Sequence, residues 1–107
     1  MRATECNGQE FHLAEMMLGV GVRLDLAADP GYYGFVEYLD RKEAGSVWKF
    51  RTYHLSTMMV DGERDNLVDA VQESLHILAG RYIFDRKHRT REAIAREEVQ
   101  IYLEGLI

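Results

Sequence analysis

The chain has 107 residues, with 13 Lys and Arg against 18 Asp and Glu, one proline and one cysteine. Its hydrophobic fraction of 47% is enough to form one modest core, which excludes a generally disordered chain. The length predicts a single α+β domain over residues 1–107.

The cysteine count and the apolar runs indicate where the protein works. Cys6 has no second cysteine to pair with, and a small secreted domain usually needs several disulfides, so we expect a cytoplasmic protein. The longest apolar run, Met16–Val22, is far shorter than the roughly 20 residues that cross a bilayer. The first residues show no signal-peptide pattern, and we expect no contact with a membrane.

The first predicted element is ambiguous between a helix and a strand. Asn7 and Glu10 resemble a helix capping box, and Gly19 suits a helix end, which predicts a helix from about Gly8 to Leu18. The competing interpretation is a strand, because apolar residues alternate from Ala14 onward.

Three strands are predicted next. Residues 20–26 alternate between apolar and polar side chains, and Asp29-Pro30-Gly31 then forms a turn. Tyr32–Asp40 is rich in aromatic residues, and Ser46 to about Met58 reads as a further strand after a polar stretch. Short turns between consecutive strands predict a three-stranded antiparallel meander.

Two helices are predicted to complete the domain. The acidic turn Asp61–Asp65 starts the first, since carboxylates stabilise a helix N-terminus, and it ends near Phe84. Its core-facing stripe is Leu67, Val71, Leu75, Leu78 and Tyr82. Thr90 would cap a second helix, whose stripe is Ala95, Val99, Tyr102 and Leu106. The predicted order is therefore α-β-β-β-α-α, with the meander packed on the long helix.

The stretch 81–91 has an unusual composition, with five cations and one carboxylate, Asp85. We predict that it forms an exposed patch between the last two helices and contacts an anionic partner surface. The residues assigned to this contact are Arg86, Lys87, Arg89 and Arg91. The alternative is a solvated loop whose cations favour the C-terminal end of the preceding helix.

Aromatic residues concentrate on the second and third strands. Tyr32, Tyr38 and Trp48 are predicted to bind a partner, because tyrosine and tryptophan supply rigid contact area with a polar tip. Both faces of the second strand are apolar, since Tyr33 and Phe35 occupy the parity opposite to that of Tyr32. If one face packs on the helix, a terminal helix or a partner must cover the other.

No motif for catalysis or metal binding is present in the sequence. None of the serines lies in a nucleophile elbow, and Cys6 has no histidine at a diagnostic spacing. His12 and Glu15 would share a helix face, but a single such pair provides too few metal ligands. We predict no catalytic residue, metal or cofactor.

These patterns predict a small non-enzymatic interaction module. One version is a regulator or inhibitor that docks on a larger assembly, for example one that handles nucleic acid. Its partner would be another protein or a second copy of the chain. Two alternatives stay open, namely an anion or nucleic-acid binder that uses residues 81–91, and a small enzyme or ligand-binding domain with a pocket between sheet and helices.

Overall fold

The fold is a six-stranded sheet followed by one long helix. The computed structural model describes the backbone of residues 2–41 and 45–105, and their side chains except those of 89–92, 94, 95, 97, 98 and 101. The elements are β1 (Arg2–Cys6), β2 (Gln9–Glu15), β3 (Gly21–Leu26), β4 (Tyr32–Arg41), β5 (Gly45–His54), β6 (Thr57–Arg64) and α1 (Leu67–Gly105). Each strand pairs antiparallel with the next along the chain.

The α+β class and the antiparallel sheet are confirmed, but the predicted three-stranded meander and the order α-β-β-β-α-α are wrong. The segment predicted to be the first helix, from about Gly8 to Leu18, contains strand β2, which forms a hairpin with β1 in which Cys6 pairs with Gln9. Asn7 and Gly8 have φ of 51° and 75°, as a two-residue hairpin turn of type I′ requires. Asn7 is thus a turn residue, and the strand interpretation of this segment was the better one.

The third predicted strand, Ser46 to about Met58, is in fact β5 and the beginning of β6. The chain reverses at Leu55, which has a φ of 55°. Strand β6 then continues through the segment predicted to be an acidic turn. Asp61 and Glu63 do not cap a helix, because they lie within β6. The carboxylate of Asp61 is 3.9 Å from Lys49, and that of Glu63 forms an ion pair with Arg41.

The two helices predicted after the sheet are a single helix of 39 residues. Its first turn is capped by Asn66, whose Oδ1 accepts a hydrogen bond from the backbone N–H of Asp69 at 2.9 Å. Thr90 lies inside α1 and starts no new helix. No glycine or proline occurs between Gly80 and Gly105, so nothing in the sequence breaks the helix there.

The core lies between α1 and one face of the sheet, which we call the inner face. Leu75, Leu78 and Tyr82 of the predicted stripe are buried, while Leu67 and Val71 are half-buried against the core. The largest fully buried side chains on the inner face are Phe11, Leu24, Leu26, Tyr32, Val36 and Phe50. The opposite face of the sheet, the outer face, is not contacted by the helix.

The molecule is elongated because α1 is longer than the sheet. A helix of this length spans about 58 Å, and the longest dimension of the molecule is 66 Å. The radius of gyration is 18.0 Å, against about 13 Å for a compact domain of this size. The described core ends at Ile83, so residues 86–105, the distal segment, extend beyond it. Among the described residues, no helix combines the length and the apolar character that a membrane span needs.

Candidate interaction surface

The outer face carries a mixed set of aromatic and charged side chains on its central strands. Alternation along each strand places them opposite the core residues. The set comprises Arg23 and Asp25 on β3, Tyr33, Phe35 and Glu37 on β4, and Lys49, Arg51 and Tyr53 on β5. Because α1 packs on the inner face, no described helix covers them.

Four of these residues form an interlocked group, which we call the outer cluster: Arg23, Tyr33, Phe35 and Tyr53. Tyr33 and Tyr53 are register partners, and their rings stack with centroids 5.2 Å apart and planes at 10°. Phe35 contacts both rings edge to face, at 5.8 Å from Tyr33 and 6.0 Å from Tyr53. All three rings are half-buried, so they are packed and also accessible.

Arg23 completes the cluster from the neighbouring strand. Its guanidinium lies 5.2 Å from the Tyr33 ring centroid and 5.3 Å from that of Phe35, within cation–π range. Asp25 holds it there through hydrogen bonds of 3.0 Å from Nε and 3.1 Å from Nη2. This hydrogen bonding raises the pKa of Arg23 and fixes the direction of its guanidinium.

The surroundings of the cluster are neutralised within the sheet. Arg51 lies 3.7 Å from Glu37, and Lys49 lies 3.9 Å from Asp61. The Tyr33 hydroxyl donates a 2.7 Å hydrogen bond to the carbonyl of Leu55. The outer cluster is therefore a preorganised surface with little net charge.

The ring arrangement determines which ligands this surface can accept. Tyr53 occupies one face of the Tyr33 ring, and Arg23, from the strand on the other side, lies over the ring. A nucleic-acid base needs a free ring face on which to stack. The Tyr33 ring is therefore covered from both sides, and the cluster is a rigid contact area of tyrosine and arginine, the kind that protein interfaces use.

Tyr32, predicted to bind a partner, lies in the core and is 1% exposed. Its ring stacks on His54 at 4.2 Å and meets Tyr82 edge to face at 5.4 Å. Its hydroxyl donates to Asp85 Oδ2 at 2.7 Å. This tyrosine joins the sheet to α1.

Tyr38 and Trp48, the other two predicted aromatic residues, are register partners with centroids 5.2 Å apart. Trp48 packs against the core, and Tyr38 is 38% exposed. Both belong to the inner-face parity, near the end of β4 opposite to Tyr32. The structure therefore brings these two together and separates them from Tyr32 and from the basic stretch.

The basic stretch lies within α1, and the prediction that it separates two helices was wrong. Arg81 forms an ion pair with Asp85 at 2.9 Å. Arg86 donates to the Tyr82 hydroxyl at 2.9 Å, and Lys87 is exposed. The side chains of Arg89 and Arg91 lie outside the described set. Partner contact by this stretch stays a prediction.

Sequence reasoning missed the outer cluster because it selected the wrong parity. The signal was available in the charges. On β5, Tyr53 shares its parity with Lys49 and Arg51, whereas Trp48 shares its parity with Phe50. Charged residues mark the uncovered face of an antiparallel sheet. The tyrosine on the charged parity was thus the better candidate for an exposed contact.

Cys6 has a histidine neighbour that the sequence spacing did not reveal. Its Sγ lies 3.4 Å from His76 Nδ1 of α1, and the amide nitrogen of Asn7 lies 3.4 Å from the same atom. Cys6 and Asn7 thus both contact Nδ1 of His76. In a nucleophilic triad, one ring nitrogen of the histidine contacts the nucleophile and the other contacts the third residue, so this arrangement differs from a triad. Burial raises the pKa of the Cys6 thiol, which disfavours the reactive thiolate.

The described residues contain no group of three or more His, Cys, Asp or Glu side chains that could hold a metal ion. His12 and Glu15, considered above as a pair on one helix face, lie on a strand. Their odd spacing of three residues therefore directs them to opposite faces of the sheet.

A groove of about 710 Å³ runs between the inner face and the first turns of α1. It exists because α1 leaves part of β1, β2 and β3 uncovered. Its apolar lining is Leu13, Val22, Leu67, Val71 and Leu75, and Arg2, Glu15 and Gln72 contribute polar groups. The alternative of a small enzyme or ligand-binding domain predicted a pocket between sheet and helices, and this groove lies in that position.

No family model, curated protein or solved structure matches this chain.

Proposed function

We propose that this protein is a small interaction module that binds a protein partner through the outer face of its sheet. The observation that carries the proposal is the outer cluster, in which three half-buried aromatic rings and one exposed arginine lie together on the central strands. Tyrosine and arginine are enriched among residues that dominate binding energy at protein interfaces. Because the cluster is already ordered by its own contacts, binding costs little side-chain entropy.

The chemistry of the partner follows from the pairing of charges on this face. Since Arg23, Arg51 and Lys49 each have a carboxylate neighbour, a highly charged surface gains little from docking here. A flat, apolar partner surface with peripheral hydrogen-bonding groups fits better. Regulation or inhibition of a larger assembly is one use of such a module and is part of the proposal.

The test uses a photo-crosslinking amino acid placed at position 35, with position 100 of the distal segment as the control site. In the cells that produce the protein, we expect one defined protein to be crosslinked from position 35 and not from position 100. Crosslinking to nucleic acid, or equal products from both sites, would contradict the proposal.

The crosslinked partner, once purified, allows a matched comparison of two tyrosines. Tyr53→Ala should weaken binding at least tenfold, as hot-spot truncation does. Tyr38→Ala is the control, because Tyr38 is a partly exposed tyrosine of the same sheet with inner-face parity. Thermal unfolding of both variants shows whether any loss of binding comes from misfolding. A larger loss for Tyr38→Ala would favour the surface predicted from the sequence.

A further inference from the structure

The side of α1 that faces away from the sheet carries exposed apolar side chains. Phe84 is 55% exposed, Val99 56% and Tyr102 67%. Phe84 and Tyr102 are about five helical turns apart and therefore lie on the same side of the helix, and Val99 lies within about 60° of them. The buried Leu75 and Tyr82 are about 160–180° around the helix from Phe84 and Tyr102. Phe84, Val99 and Tyr102 thus form a stripe, the exposed stripe, that no described element covers.

The distal segment extends beyond the core without a packing partner in the described part of the chain. Its 20 residues continue α1 for about 30 Å past the core. Helices in proteins are stabilised mainly by the packing of an amphipathic face, and less by the propensities of their residues. We therefore expect the exposed stripe to pack against a surface of another molecule.

The charges of the distal segment indicate what that other molecule is. Residues 86–91 contain four cations and no carboxylate, whereas residues 92–104 contain four glutamates and one arginine. Two antiparallel copies of this segment bring the basic part of each beside the acidic part of the other. Two parallel copies would instead bring four cations beside four cations. A second copy in antiparallel orientation is therefore electrostatically complementary to the segment.

The exposed stripe determines the level at which the two helices meet. Ala93 lies midway between Phe84 and Tyr102 in the sequence. A twofold axis at this level places Phe84 of each copy opposite Tyr102 of the other. It also places residues 86–91 of each copy beside residues 95–100 of the other, which contain two glutamates and one arginine. Because the exposed stripe faces away from the sheet, the two sheets lie on the outer sides of the helix pair.

We propose that the protein forms a symmetric dimer in which the two distal segments pack antiparallel through their exposed stripes. The contact is isologous, so it closes at two copies. It uses a surface different from the outer cluster and does not depend on the proposed function. The dimer presents two outer clusters, one on the far side of each sheet.

The first test measures mass against concentration for the full-length chain by sedimentation equilibrium. We expect a species of twice 12.4 kDa. Val99→Gln combined with Tyr102→Gln should raise the dissociation constant at least tenfold, because glutamine removes the apolar contact but keeps helix propensity and adds no charge.

Ala93→Gln is the matched control for this variant. Ala93 is exposed on the same segment and lies about 180° around the helix from both Phe84 and Tyr102. Its replacement should change the dissociation constant less than about twofold. A wild-type chain that stays monomeric, or equal weakening by Ala93→Gln, would overturn the proposal.

The second test determines the direction and level of the helices by cysteine crosslinking in a Cys6→Ser background. Gly80 and Gly105 are exposed, and a Cβ added at either position meets no atom within 4 Å. In the proposed dimer Gly80 of one copy lies beside Gly105 of the other, whereas two copies of the same glycine are about 36–39 Å apart along the helix axis.

Chains with Gly80→Cys mixed with chains with Gly105→Cys should therefore give a covalent dimer with a short bismaleimide, while either chain alone should give little. Efficient crosslinking of Gly80→Cys chains alone would indicate parallel helices and would overturn the proposed arrangement. Failure of all three samples to crosslink would overturn it as well.

Discussion

Asp85 shows how one side chain can join the sheet to the helix. It accepts hydrogen bonds from the Tyr32 hydroxyl of β4 at 2.7 Å and from Arg81 Nε one helical turn earlier at 2.9 Å. Burial of the carboxyl opposes its ionisation, but the hydrogen bonds and the charge of Arg81 outweigh this effect and lower the pKa of Asp85. The ionised form is therefore stabilised by folding.

We expect Asp85→Asn to reduce the free energy of unfolding at neutral pH by about 1–2 kcal/mol, since a charge-assisted acceptor becomes a neutral one. A pKa lowered by folding gives stability that is present above the unfolded value and lost as pH falls through the folded value. The difference between wild type and variant should thus shrink as pH drops below the usual 3.8. Urea unfolding at several pH values measures it.

Asp61→Asn is the control for this prediction, because Asp61 is exposed and lies 3.9 Å from Lys49. An exposed ion pair of this kind contributes little, so its replacement should change stability by less than about 0.5 kcal/mol. A constant difference between wild type and Asp85→Asn from neutral to acid pH would show that the charge of Asp85 has no part in stability.

At the scale of elements, the apolar stripe on the first half of α1 is the feature for which the sequence predicts packing against the sheet most clearly. Leu75 is 6% exposed and lies in the core. Leu75→Ala should cost about 2–5 kcal/mol, as large-to-small core substitutions do. Val68→Ala on the same helix is the control, since Val68 is 61% exposed. This substitution should lower the free energy of unfolding by less than about 0.5 kcal/mol, measured by chemical denaturation. A similar cost for both would place the stripe outside the core.

The sequence predicts the strands and helices that depend on local periodicity. Strands β3 and β4 and the buried stripe of α1 follow from alternation and from spacings of three and four residues. The β1–β2 hairpin was missed because Asn7 suits both a helix cap and a type I′ turn. Only the following Gly8, which tolerates a φ of 75°, favours the turn.

Pairing and packing decide the remaining features. Asp61 and Glu63 suggested a helix start, but both belong to the ladder of β5 and β6, in which Asp61 is the register partner of Arg51 and Glu63 that of Lys49. The outer cluster depends on which parity faces the helix, and α1 is distant in sequence from β3 and β4. Local propensity therefore could not assign Tyr33 and Tyr53 to the exposed face.

The order of elements along the chain has a consequence for synthesis on the ribosome. Each strand pairs with the one made just before it, so the sheet can assemble as the chain emerges. The apolar inner face, with Phe11, Leu24 and Val36, must then wait for the helix that comes last. At about 5–20 residues per second, the first half of α1 takes roughly 1–4 s to be made. During this interval the charged edge strands β1 and β6 are what discourages nascent sheets from pairing with one another.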